Sequence, residues 1–318
     1  MAPAAGGTGS ARAGRTRSGA GGSDRAVRGL MAPPPLTPAD LVFCPAPFGH
    51  VPLLDRLAPA AAAGFSAIAL QPSDVWTAEA MGRSAAELAA RIADAGLTVA
   101  EIDCTACWME RQKTGDDSEL GKLLRGLTPD KVVATAARIG ARSVAAIDLS
   151  PTPAPLDEAA EAFAALCDLA AEHGLRAHIE FLPVGGIRNL SEAWAIVREA
   201  GRPNGGLTID AWHFFRSGST LEELAALPPE HIHAVQLCDA PAEPQADLWA
   251  ELMSARLLPG EGALDVVGLV RTLDRMGSRA PFGIEVFNSR QQDQTIAQVA
   301  QDWAEAGREI LERARGNP

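Results

Sequence analysis

A chain of 318 residues, 47% of them apolar and 21% charged, is long enough to bury about three quarters of its unfolded surface and needs no disulfide framework. The formal net charge of −12 is uneven: the first thirty residues carry Arg12, Arg15, Arg17, Arg25 and Arg28 against Asp24, or +4, leaving −16 for the remainder. An acidic body is a poor match for nucleic acid or an anionic membrane surface, and no apolar run approaches the roughly 20 residues that span a bilayer.

Residues 1–35 are mostly Gly, Ala, Ser, Pro and Arg. Such composition has little to bury and reads as a disordered tail or an over-called start, with Met31 just ahead of the first ordered-looking segment. An Arg-rich, acid-poor leader is also the composition of a transit peptide. Beyond it, short apolar β-branched runs recur at 41–44, 67–71, 97–102, 142–147, 176–181, 205–209, 232–238 and 282–287. Ala/Leu-rich stretches with helical spacing alternate with them at 52–63, 84–95, 130–139, 156–173, 190–200, 220–226, 264–276 and 293–312. Continuous apolar strands of this kind are buried on both faces, as in parallel sheets. Gly64, Gly96, Gly140, Gly174, Gly201 and Gly277 each follow a helical stretch, where a left-handed cap is predicted. Thr128-Pro129-Asp130 and Asn189 with Glu192 read as helix starts.

Eight strand–helix units predict one α/β domain over residues 36–318, a (βα)8 TIM barrel. No G-x-G-x-x-G follows the first strand, which sets aside the open doubly wound sheet. The five cysteines (Cys44, Cys104, Cys107, Cys167 and Cys238) are odd in number and lie in apolar stretches. They read as buried thiols of a reducing compartment, so a cytoplasmic protein is expected. The lone C-x-x-C at Cys104 and Cys107 reads as coincidence.

In such a barrel, functional groups sit at the C-terminal ends of the strands. Four successive runs place a carboxylate or amide there: Glu180, Asp210, Gln236 and Glu285. A charge flanked by Ile, Phe and Val is costly to bury unless it is paired or metal-bound. Three carboxylates converging on one mouth repel each other without a cation. A metal site on these four residues is therefore expected, against the alternative of separate salt bridges. His233, three residues before Gln236, is the rival ligand, but strand alternation assigns it to the opposite face. Three carboxylates and an amide form a hard oxygen set that suits one Mn2+ or Mg2+; Zn2+ or Co2+ ranks behind unless a histidine joins.

Glu180, the runs Asp210-Ala211-Trp212-His213 and Gln236-Leu237-Cys238-Asp239, Glu285, and the run from Arg256 to Gly262 (RLLPGEG) together resemble the xylose-isomerase-like barrel superfamily. That group includes sugar-phosphate isomerases and epimerases, inosose and 3-dehydroshikimate dehydratases, and endonuclease IV-type enzymes. The resemblance implies metal ligands at Glu180, Asp210, Gln236 and Glu285, with His213 beside the metal and touching substrate. It implies Glu180 and Glu285 as the proton-transferring pair of a metal-dependent sugar or sugar-phosphate isomerase or epimerase that acts through an enediolate on a ketose or keto-polyol. Ketose epimerases generally carry His where this chain has Gln236, whereas dehydroshikimate dehydratases can carry Gln. The alternative is thus a hydro-lyase in which His213 takes the proton. A second alternative is a non-catalytic metal- or sugar-binding barrel subunit. Six histidines and an acidic body argue against the trinuclear DNA-repair site.

Arg256 and Arg216 are the candidate cations for a phosphate or carboxylate, their competing reading being loop pairs with Glu261 or Glu251. His50, after the first strand, is a candidate substrate contact, and Glu101 and Asp148 are weaker ones. Trp108, in the long loop after the third strand, is expected to cap the pocket. Lys113 reads as part of a solvated face and Trp212 as core. The expected partner is a small sugar or keto-polyol, with no nucleic acid and no membrane; a homo-oligomer is compatible with the sequence.

Overall fold

The computed structural model of the protein describes residues 35–114 and 117–316. The tail expected over residues 1–35 therefore lies, apart from Pro35, outside the described residues. Eight strands, β1 (Leu41–Phe43), β2 (Ala67–Leu70), β3 (Thr98–Thr105), β4 (Ser143–Ala146), β5 (Arg176–Glu180), β6 (Gly205–Asp210), β7 (Ile232–Leu237) and β8 (Phe282–Ile284), close in sequence order into a barrel. Every pairing is parallel, and Leu41 to Phe43 of β1 seal the ring against Phe282 to Ile284 of β8.

The helices Leu53–Ala63, Ala85–Asp94, Pro129–Ile139, Leu156–Ala171, Leu190–Ala200, Leu221–Ala225, Val266–Met276 and Ile296–Arg315 fall on the eight predicted stretches. All six glycines expected as left-handed caps have positive φ, from 62° to 92°. Asn189 caps its helix by accepting from the Glu192 amide at 2.9 Å, and Pro129 opens its own at the first turn. Four short helices escaped the sequence reading: Pro72–Ala80, Glu119–Gly126, Ala211–Arg216 and Leu248–Ser254. Each lies after a strand and is too short to show several turns of apolar periodicity.

The two faces of the strands bury different residues. Large side chains such as Phe43, Ile68, Val99, Ile102 and Ile179 belong to the main core against the helices. Val42, Cys44, Ala67, Ala69 and Ala100 form a separate cluster inside the ring. An eight-stranded barrel has room only for side chains, so small ones on β1 to β3 leave space within it.

Two register irregularities alter which residues reach that interior. Between β6 and β7 the pairing runs Leu207 to Ile232 and then Thr208 to Ala234, so β7 carries one extra residue at His233. A bulge of this kind breaks alternation, and His233 turns inward together with Gln236, contrary to the sequence expectation. The His233 ring lies low in the barrel, 6.2 Å from the His178 ring. Gly206 makes way for it: a Cβ there would stand 2.6 Å from two of the ring atoms. On β3 the register shifts twice, between the pairs at Val99 and Ile102 and between those at Ile102 and Thr105. These shifts accompany two acids, Glu101 and Asp103, that face the interior.

Candidate active site

Below the mouth lies a neutralised polar layer. His178 on β5 is within 2.6 Å of Thr208 Oγ1, 3.0 Å of Ser143 Oγ and 3.2 Å of Glu101 Oε2. Glu101 is therefore occupied beneath the mouth, which removes it from the candidate substrate contacts.

Above this layer the strand ends converge as expected. Glu180 closes β5, and its Oε1 lies 3.2 Å from His213 Nε2. Asp210 closes β6 and caps the helix Ala211–Arg216, accepting from the His213 amide at 2.8 Å. That cap fixes the turn which returns the imidazole over the carboxylates. One ligand atom each from Glu180, Asp210 and His213 lies within 4.8 Å of the others. Gln236 pairs in register with Asp210 on one side and Gly283 on the other. It is 2% exposed, and its Oε1 has no hydrogen-bond partner. Glu285 follows β8, its amide donating to Leu237 O at 3.3 Å.

Arg256 joins this group from the loop after β7. Its Nη1 donates to Asp210 Oδ2 at 2.8 Å and lies 3.6 Å from Glu285 Oε2, and its Nη2 is 3.4 Å from His213 Nε2. The guanidinium packs on the rings of Trp212 and Phe287, 5.5 and 5.1 Å from their centroids. At 1% exposure it neutralises protein carboxylates and is not an open anion receptor. Its loop is organised by Asp239, which accepts from the Gly260 and Leu264 amides at 3.0 Å each. Gly262 passes so close to Asp239 and Ala240 that no Cβ fits there.

Asp103 is a fourth acid of the mouth, and the sequence reading missed it. The predicted strand stopped at residue 102, and the register shifts that turn Asp103 inward leave no mark on local periodicity. Glu180, Asp210 and Glu285 thus face one guanidinium, with the half-buried Asp103 beside them. Burial first, and then Asp210, pushes Glu180 up to about 8. Glu285 is raised well above the usual carboxylate range by burial, against the pull of Arg256, and Asp103 is raised by burial and by Glu180. Burial holds His213 down at about 4, a neutral imidazole. Burial is the largest cause of each rise, and the neighbouring carboxylates add to it. Glu180, Asp210 and His213, with ligand atoms within 4.8 Å of one another, are thus the group that could hold a metal ion, beside the unpartnered oxygen of Gln236.

Other candidates lie elsewhere. Trp108 does not cap the pocket: it is buried against Phe163, with its indole N–H donated to Ile147 O at 2.8 Å. An apolar ring beside a helix of the main core gains more from packing there than from standing over a wet mouth. Arg216 is held by Glu251 Oε1 and Pro241 O, both at 2.7 Å, which is its loop-pair reading. Trp212 is core and donates to the same Glu251 at 2.9 Å. His50 is exposed beside Phe48, outside the cluster. Lys113 pairs with Glu110 at 2.6 Å on the surface. Asp148 is buried, accepting from Gln112 and the Ser150 amide at 3.1 and 2.9 Å. All five cysteines are free thiols. Among the described residues no helix is long and apolar enough to cross a membrane.

Known proteins resemble this chain in sequence and in fold. The chain is 30% identical over 246 residues to a 3-dehydroshikimate dehydratase of Pseudomonas aeruginosa, an alignment covering 74% of this chain and 36% of that protein. It is 29% identical over 160 residues to an inosose isomerase of Bacillus licheniformis, covering 48% of this chain and 56% of the relative. The matched regions thus span a little over a third and a little over half the length of these relatives. Among solved structures, the IOLI protein with a bound zinc atom superposes with a TM-score of 0.76 at 19% identity, covering 87% of this chain and all of that one. An L-ribulose 3-epimerase superposes with a TM-score of 0.62 at 18% identity, covering 87% and 99%. The model of the xylose isomerase-like TIM barrel family matches residues 57–312, and the chain belongs to that family.

Proposed function

We propose that this barrel is an isomerase or epimerase that moves the proton on the carbon beside the carbonyl of a ketose or keto-polyol, with one divalent ion, Mn2+ or Mg2+. The observation that carries this reading is the cluster of three buried carboxylates, Glu180, Asp210 and Glu285, around the Arg256 guanidinium, overlaid by the neutral His213. Glu180, Asp210, Gln236 and Glu285 would hold the ion, with His213 Nε2 in reach. When bound, the ion polarises the substrate carbonyl and favours loss of the adjacent proton. Glu285 and Glu180 would remove and return that proton; burial raises both above the usual carboxylate range, Glu180 to about 8. Arg256 holds Asp210 and Glu285 in place and is not exposed to substrate.

Dehydration of a cyclic keto-polyol is the second reading. It is favoured by Gln236 in the position flanked by Asp210 and Gly283 and by the relative named as a dehydratase. Here the neutral His213 takes the proton and a hydroxyl departs. The buried and half-buried free thiols support placement in a reducing compartment, the cytoplasm.

The test incubates protein reconstituted with Mn2+, Mg2+ or Zn2+ with an inosose, a ketose and 3-dehydroshikimate in D2O. Deuterium entering recovered substrate or its isomer, without new ultraviolet absorbance, supports the first reading. A conjugated, absorbing product supports the second. Neither signal with any substrate and ion overturns both.

A further inference from the structure

The roles above leave one buried carboxylate of the mouth loops without a function. Glu251 lies on the helix Leu248–Ser254, in the loop after β7, and is fully buried. Its Oε1 accepts from Trp212 Nε1 at 2.9 Å and from Arg216 Nε at 2.7 Å, and its Oε2 accepts from the Gln245 amide. Burial by itself would raise its proton affinity, but these donors hold it below the usual carboxylate range, so the bonds are those of an anion.

Both side-chain donors belong to the helix Ala211–Arg216, which has six residues. So short a helix does not hold its own orientation. Trp212 and Arg216 are four positions apart and share one of its faces; Glu251 fastens that face, while Asp210 caps the first turn. His213 stands next to the fastened residue, its ring 5.3 Å from the Trp212 ring and nearly perpendicular to it. The same junction reaches Arg256. Its guanidinium lies 5.5 Å from the Trp212 ring, and its Nε donates to Leu252 O at 3.2 Å, on the helix that bears Glu251. One carboxylate thus joins the loop after β6, which presents His213, to the loop after β7, which presents Arg256. Asp247 also serves the helix Leu248–Ser254, but it accepts only from the Trp249 and Ala250 amides of that helix.

We propose that Glu251 is a positioning residue: it locks the helix Ala211–Arg216 and the Arg256 loop into one unit and so sets the place of the His213 imidazole beside Glu180 and Asp210. The proposal rests on the reaction assigned above. It adds a residue that governs turnover without meeting substrate, because a reacting group displaced by about 1 Å costs rate far more than binding.

The experiment compares wild type, Glu251→Ala, Trp212→Phe and, as a control, Asp247→Ala. It measures kcat and KM of the Mn2+-loaded enzymes on an inosose, a ketose and 3-dehydroshikimate, the melting temperature, and the imidazole 15N resonances of His213 in the metal-free proteins. Glu251→Ala is expected to lower kcat about 10- to 100-fold while KM stays within about threefold, and to shift the His213 resonances. Asp247→Ala removes a helix cap and should lower the melting temperature, with kcat within about twofold of wild type and the His213 resonances in place. An unchanged kcat in Glu251→Ala overturns the proposal. So does an equal loss of kcat in Asp247→Ala, which would make folding of the helix the whole effect, or a tenfold rise in KM at unchanged kcat. Should Glu251→Ala not fold, Trp212→Phe decides, since it keeps a ring under Arg256 and removes only the N–H given to Glu251: kcat lowered about 3- to 10-fold, the size of one hydrogen bond, upholds the proposal, and an unchanged kcat refutes it. If wild type turns over none of the substrates, the reaction reading fails on its own. The His213 resonances then settle the positioning role: shifted in Glu251→Ala or Trp212→Phe but not in Asp247→Ala upholds it, and any other pattern refutes it.

Discussion

The two halves of the barrel mouth are built from opposite materials. From β5 to β8 each strand end delivers a polar or acidic group, Glu180, Asp210, Gln236 and Glu285, with Arg256 and His213 folded over them. From β1 to β3 most interior positions are small, Val42, Cys44, Ala67, Ala69 and Ala100, with the acids Glu101 and Asp103 of β3 as exceptions, and Trp108 turns away into the core. Chemistry is concentrated on one side and space on the other. Asp103, on the spacious side, faces the charged one.

The sharpest way to break this comparison is to neutralise one member of the charged half. Glu285→Gln is expected to lower kcat by about 10²- to 10⁴-fold, the usual worth of a positioned acid or base, without lowering the melting temperature, since a repelled buried carboxylate is lost. A variant with near-native turnover removes Glu285 from the mechanism. Trp108→Ala should do the reverse on the other side. Removing a buried indole and its hydrogen bond costs about 3–5 kcal/mol of stability, read by denaturant unfolding, while kcat of the folded fraction stays within about twofold of wild type because no reacting group moves. A larger loss of kcat than of stability would return Trp108 to the pocket.

Metal removal exposes the same contrast through pH. Glu180 has its folded-state proton affinity raised from 4.5 to about 8, so its contribution is present below pH 4.5 and is lost as pH rises through about 8. His213 is lowered from 6.5 to about 4, so its contribution is present above 6.5 and is lost as pH falls through about 4. Protein in EDTA should therefore be most stable in the mildly acidic range and melt several degrees lower near pH 8. Saturating Mn2+ should flatten the alkaline fall, and an alkaline fall unaffected by Mn2+ would argue against a cation at these carboxylates. The smallest effect is expected at Arg216→Ala. That change loosens the Glu251 anchor of the loop after β7 and costs about 1 kcal/mol or somewhat more, with little change in KM. A KM raised tenfold would give Arg216 the substrate role it otherwise lacks.

What the sequence made legible follows from where the information lies. Glu180, Asp210 and Glu285 stand inside apolar runs, so their positions at strand ends announce both burial and a shared purpose. The helix caps, Gly64 among them, are equally local. Asp103 was missed and His233 misplaced because a bulge is a property of two strands together; alternation counted along one strand cannot detect it. Arg256 was read as an anion receptor because a basic residue in a barrel loop is compatible with either role, and only its distances to Asp210 and Glu285 separate the two. Trp108 misled because the length of a loop says little about which of its residues turn inward.

The glycine at position 206 and the imidazole of His233 occupy one volume between them. The carbonyl oxygen of His231 closes the same space, 2.5 Å from where a Cβ would stand, so giving up the ring at 233 would not by itself open position 206 to a side chain. The floor of the barrel is thereby tied to glycine by the backbone as well as by the imidazole.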